Sequence, residues 1–222
     1  MTKIIARDKD HLVNLIRKEI KMNGDSCDLN HIDVSNVKDM AHLFCTSRFN
    51  GGINQWDVSK VIDMWGMFAE STFNQDISQW NVSNVKDMGL MFYESQFNQD
   101  ISEWDVSNVV YMNSMFESSR FNRNISKWNV SNVINMKKMF RLSVLEDNLT
   151  NWQPKKLITT KDIFNNSKLE KCSKTPYWAN VDNNLLEQVI NAYVLQQQLL
   201  DILPALKDGD SLYRRSMSRA GK

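Results

Sequence analysis

The chain has 222 residues, 42% hydrophobic and 24% charged, and carries a net charge of +1. That composition is a globular protein's and excludes a disordered chain. No run reaches the roughly 18 apolar residues a membrane span needs, and near-neutral charge speaks against a nucleic-acid binder.

The first residues, Met1-Thr2-Lys3-Ile4-Ile5-Ala6-Arg7-Asp8, lack the apolar centre of a secretory signal. The expectation is a cytoplasmic protein, or one exported without a cleaved signal. Three cysteines at irregular spacing, Cys27, Cys45 and Cys172, fit reduced thiols better than a disulfide framework. Residues 3–6 suit a strand, and Leu12, Leu15, Ile16 and Ile20 fall on one face of a helix ended by Asn23-Gly24. Residues 1–24 therefore read as an N-terminal capping strand and helix.

From Asp25 the chain repeats itself every 24 residues without a gap, in units that begin at Asp25, Phe49, Phe73, Phe97, Phe121 and Leu145. The eighth position is Ile32, Trp56, Trp80, Trp104, Trp128 and Trp152, followed two residues later by Val34, Val58, Val82, Val106, Val130 and Pro154. Such alternation marks a short half-buried strand. Apolar positions then recur at about helical spacing, as in Val85, Met88 and Met91-Phe92, which predicts a helix of about three turns. Ser35, Ser59, Ser83, Ser107 and Ser131 stand where a helix N-cap is needed. Asn50, Asn74, Asn98 and Asn122 recur in the return turn and suit a ladder bonding side chains or backbone of successive units.

One unit cannot bury two apolar faces alone, so neighbours must stack. The expected fold class is α/β: a leucine-rich-repeat-like solenoid of six strand-helix repeats over residues 25–168, with helical N- and C-terminal caps. Helices pack farther apart than strands, about 8 to 10 Å against about 4.8 Å, so the strand side is expected to be concave. Residues 169–206 read as a C-terminal helix, capped by Asp182 and carrying Leu185, Leu186, Val189, Ile190, Tyr193 and Val194. It either closes the last repeat or meets a partner, including a second copy in a homodimer. Residues 207–222 are expected to form a flexible basic tail.

Two outward strand positions line the expected concave floor: His31, Gln55, Gln79, Glu103 and Lys127, then Asp33, Asp57, Asn81, Asp105 and Asn129. The acidic members either bond backbone N–H groups at the following turn or receive basic groups of a partner. Charge is segregated: residues 49–120 hold three basic and ten acidic side chains, and the next 24 hold five basic and no acidic ones. A weaker basic patch comprises Arg123, Lys137, Lys138, Arg214 and Arg215. Cys27, His31, His42 and Cys45 make a zinc-like set in composition, but the repeat register puts them on opposite faces, so no metal site is expected. No catalytic triad, phosphate loop or cofactor motif is indicated.

Units such as Phe73-Asn74-Gln75-Asp76-Ile77-Ser78-Gln79-Trp80-Asn81-Val82-Ser83-Asn84-Val85-Lys86-Asp87-Met88 closely resemble BspA-like leucine-rich repeats of bacterial surface proteins and mycoplasma lipoproteins. The resemblance covers residues 25–168 and implies a ligand-binding repeat protein without enzymatic activity. The expected function is non-enzymatic protein-protein interaction through the concave strand face and the C-terminal helix. The alternatives are a secreted effector or adhesin acting on host protein or glycan, and nucleic-acid binding through the basic C-terminal third.

Overall fold

The computed structural model describes residues 3–180. Its regular elements are β1 (Ile4–Ile5), α1 (Lys9–Asn23), β2 (Ile32–Asp33), α2 (Lys168–Lys171) and a 3-10 turn, Tyr177–Asn180. Asp8 starts α1 by accepting the His11 N–H at 2.8 Å, and Gly24 ends it with a positive φ of 82°. Leu12 and Ile16 are buried on one face of α1. β1 runs parallel to β2, Ile4 opposite Ile32 and Ile5 opposite Asp33, so this edge of the first coil is paired.

The stretches expected to form a helix in each unit are not helical: no helix lies between β2 and α2. Alternate N–H groups there point along the stack to the next coil, as in Met64 to Asp87 O (3.0 Å), Gly66 to Gly89 O (2.8 Å), Phe68 to Met91 O (3.0 Å) and Glu70 to Tyr93 O (2.7 Å). The N–H groups between them turn back three residues, Met67 to Met64 O and Ala69 to Gly66 O, each at 3.1 Å. Parallel bridges join Asp39 to Asp63, Asp63 to Asp87, Asp87 to Tyr111, Tyr111 to Asn135 and Asn135 to Thr159. Each link spans one 24-residue period.

This path needs two left-handed residues per coil, for instance Leu90 (φ 56°) and Glu94 (φ 50°), or Ser114 (φ 54°) and Ser118 (φ 55°). Left-handed backbone costs an L-residue roughly 1–2 kcal/mol, which the hydrogen bonds to the next coil offset. At Gly66 (φ 60°) a Cβ would stand 2.7 Å from His42 Nδ1, so close approach adds to the conformational demand for glycine. The threefold spacing of Val58, Val61, Met64 and Met67 now has its reason. At about 100° per residue, an α-helix would put Val58 and Met67 on opposite faces, yet all four are buried. With backbone hydrogen bonds on this side as well, the spacing mismatch that would fan helices outward and leave a concave strand face does not arise.

Three corners turn each coil, and Asp or Asn holds most of them by accepting the N–H two residues on. The first is Asp76 to Ser78 (2.8 Å) and Asp100 to Ser102 (2.9 Å), the second Asp57 to Ser59 (3.0 Å), and the third Asp63 to Trp65 and Asp87 to Gly89, both at 2.8 Å. The serines expected as helix caps are instead the residues whose N–H is bonded at the second corner.

Inside, the rings form columns. Phe44, Phe68, Phe92, Phe116, Phe140 and Phe164 stack with successive centroids 5.5 to 5.8 Å apart. Trp80, Trp104 and Trp128 donate their indole N–H to the buried carbonyls of Ile53, Ile77 and Ile101, in the preceding coil, at 3.2, 3.2 and 3.1 Å. Asn50, Asn74, Asn98 and Asn122 accept the N–H of Asn74, Asn98, Asn122 and Glu146 at 2.8 to 3.0 Å, so the Asn ladder binds side chain to backbone. Trp178 extends the indole column past the last repeat, stacking on Trp152 at 5.7 Å and donating to Leu149 O at 3.2 Å. The C-terminal helix expected from Asp182 onward lies outside the described residues.

Trp104→Phe keeps the stacking and removes the indole donor, leaving Ile77 O with the Trp80 N–H at 3.1 Å as its remaining donor; chemical denaturation is expected to show a loss of about 0.5–1.5 kcal/mol. At Gly51 a Cβ would meet Cys27 O at 1.9 Å. Gly51→Ala is therefore expected to destabilise by about 1–3 kcal/mol and to lower the melting temperature measured by calorimetry.

Candidate interaction surface

The two outward columns differ in what the fold asks of them. Asp33, Asp57, Asn81, Asp105 and Asn129 each bind the N–H of the serine two residues on, at 2.9, 3.0, 3.2, 3.0 and 3.2 Å. Hydrogen bonds from the Ser35 backbone hold the Asp33 carboxyl below its usual range, and those from the side chains of Ser59 and Ser107 do the same for Asp57 and Asp105. Repulsion from Asp33 is the smallest influence on Asp57. These carboxylates are thus committed to the corner, whatever else they meet.

The neighbouring column has no such duty. Gln55, Gln79, Glu103 and Lys127 are exposed, and His31 is half-buried. His31 lies against the N-terminal cap, its Nδ1 at 3.2 Å from Asp28 O and its Nε2 at 3.7 Å from Glu19 Oε1. Each of these residues precedes an inward residue (Ile32, Trp56, Trp80, Trp104, Trp128), and every one of those indoles is bonded to the coil before, so the column is a continuous outward row.

Of the basic residues, the structure brings Arg123 and Lys127 to one cleft of about 340 Å³, lined also by Asp100, Ser102 and Asn124. Arg123 Nε donates to Asn98 O at 2.9 Å. Lys137 and Lys138 follow the third corner of the same coil and do not line that cleft. Arg141 is held by Glu117 at 2.7 Å. Arg214 and Arg215 lie outside the described residues.

His42 sits edge-on to Trp65 with ring centroids 4.3 Å apart, and burial pushes the Cys27 and Cys45 thiols up. Among the described residues no three His, Cys, Asp or Glu side chains converge as metal ligands, and no helix is long and apolar enough to cross a membrane.

Two features escaped sequence reasoning. Asn84, Asn108 and Asn132 donate Nδ2 to Ser59 O, Ser83 O and Ser107 O of the preceding coil at 2.7, 2.9 and 2.7 Å, a second Asn ladder visible as a repeated Asn after the serine. The other is the third-corner column Asp39, Asp63, Asp87, Tyr111, Asn135, Thr159. Burial, then the charge of Asp63, raises the Asp87 carboxyl to about 6, although the Gly89 N–H works the other way. Lys9 reaches Asp39 at 2.7 Å.

A carboxyl raised in the folded state favours folding while protonated, so this contribution is full near pH 4 and is lost as pH rises through about 6. Coil five already has Asn135 at this position, accepting the Lys137 N–H at 2.9 Å. Asp87→Asn is therefore expected to stabilise the protein by about 1–2 kcal/mol at pH 7 and by much less at pH 4, measured by urea unfolding at both values.

No curated protein and no solved structure matches the chain. A family model described as Mycoplasma protein of unknown function, DUF285, matches residues 12–117 and again residues 93–178. Its two matches overlap within the repeats and together run from α1 to the 3-10 turn, well over half the chain, and the protein therefore belongs to this family of bacterial repeat proteins.

Proposed function

We propose that the stacked coils form a solenoid of the BspA-like kind, and that it serves as a non-enzymatic scaffold binding another protein through the row His31, Gln55, Gln79, Glu103 and Lys127. What supports this reading is one contrast. Side chains in the adjoining column are tied to the backbone, whereas this row changes in size and charge from coil to coil without disturbing a corner. Variation on a fixed frame is how a repeat protein acquires specificity. The tied column, Asp33, Asp57, Asn81, Asp105 and Asn129, forms the polar border of the contact.

A basic partner segment would meet Glu103 and Asp105, and an acidic one the cleft of Arg123 and Lys127. Lys137 and Lys138 belong to a different side of the coil and stand outside this contact. Resemblance of the repeats to those of bacterial surface proteins favours a second reading, an exported effector or adhesin that uses the same row on host protein or glycan.

A photo-crosslinking residue at Gln79 or Glu103 is expected to trap one protein from the native bacterium. Combining Gln55→Ala, Gln79→Ala and Glu103→Ala should weaken binding of that protein at least tenfold with an unchanged melting temperature. Undiminished binding by the triple variant, with contacts mapped elsewhere, contradicts the proposal. Fractionation of the same cells decides between a cell-internal and an exported scaffold.

A further inference from the structure

The last coil repeats the donor geometry of the coils before it but has no successor among the described residues. In coil five the N–H groups of Met136, Lys138, Phe140 and Leu142 donate to Thr159 O, Lys161 O, Ile163 O and Asn165 O at 2.9 to 3.1 Å. The equivalent residues of coil six are Thr160, Asp162, Phe164 and Asn166, with Asp162 and Asn166 again left-handed at φ 58°. Asn166 N–H is taken by Glu170 Oε2 at 2.6 Å, and Thr160 is engaged, its hydroxyl donating to Ala179 O at 2.7 Å. Between them, the N–H groups of Asp162 and Phe164 meet no acceptor among the described residues. Both residues line a cavity of about 390 Å³ whose other lining includes Glu170, Ser173 and Thr175.

The opposite end is different. There α1 covers the first coil, burying Leu12 and Ile16, and Lys9 binds Asp39 at 2.7 Å. A helix lies where an added strand would need to run, so the two ends of the array are not equivalent as templates.

We propose that the C-terminal end of the array binds an extended basic peptide segment of another protein, two of whose backbone carbonyls, two residues apart, accept the N–H groups of Asp162 and Phe164. Each internal junction shows the required geometry, since Lys137 O and Met139 O accept from Ser114 and Phe116 at 2.8 and 2.9 Å in just this way. Chain addition at a free edge derives affinity from main-chain hydrogen bonds and specificity from flanking side chains. The charged residues lining the cavity, Asp162 and Glu170, are both acidic. They disfavour a carboxylate or phosphate on those donors and favour a neutral carbonyl flanked by Lys or Arg. This site is separate from the outward row proposed above.

The test uses the full-length chain, isotopically labelled, and a synthetic peptide copying residues 135–143, which carries Lys137, Lys138 and Arg141. At saturating peptide, amide exchange at Asp162 and Phe164 is expected to slow at least tenfold while that at Phe140 is unchanged. Asp162→Asn, which suits the left-handed position, is expected to weaken peptide binding several-fold. A version of the peptide with its three basic residues replaced by Glu is expected to leave both amides exchanging freely. Amides unmoved by the basic peptide, amides already slow in the free chain, or equal protection by the acidic peptide each overturn the proposal.

Discussion

Everything in the array depends on the backbone hydrogen bond that leaves one coil and ends on the next, 23 residues along. Leu90 N–H cannot reach Asn113 O, nor Phe92 N–H reach Met115 O, unless every coil has the same length and the same left-handed positions. This explains why the period admits no insertion anywhere between Asp25 and Lys168. It also explains why Leu90, Glu94, Lys138 and Leu142 accept a conformation that such residues rarely adopt. The inter-coil bonds satisfy main-chain groups that would otherwise be buried unpaired, and loss of one coil's register would orphan a whole row.

Side chains reinforce the same register instead of competing with it. An indole donor, an Asn acceptor and an Asn donor recur at fixed positions, and each links neighbouring coils. The Phe columns add near-parallel ring stacking with centroids 5.7 to 5.8 Å apart. Polar ladders lie toward the surface and aromatic ladders inside, so the cross-section of every coil is specified twice. The array needs ends as well as a middle: α1 and β1 close one, and Trp178 carries the indole column beyond the other.

The period, the inward Trp, Phe, Val and Met columns and the two outward columns were all legible in the residues, because burial imposes a pattern whatever the local conformation. Conformation itself was not. Val85, Met88, Met91 and Phe92 satisfy a helix template and a threefold turn template equally well over so short a window, and nothing about Leu90 or Ser114 announces a positive φ. The informative signal was Val82 three residues earlier, buried with the rest, which a single helical face does not accommodate. Of the candidate surface, the role of Asp57 and Asp105 in holding a corner was among the alternatives the sequence offered, and the structure shows that bond. The separation of Lys137 and Lys138 from Arg123 follows from the third corner, which only the folded path reveals.

The central claim is that main-chain bonds in the repeats run between coils and not along a helix. Scalar coupling across the hydrogen bond of Leu90 measures this directly by nuclear magnetic resonance. The account predicts coupling of the Leu90 amide to the carbonyl carbon of Asn113, whose oxygen lies 2.9 Å away. Coupling instead to Lys86, four residues earlier, would mean a helix and would contradict it.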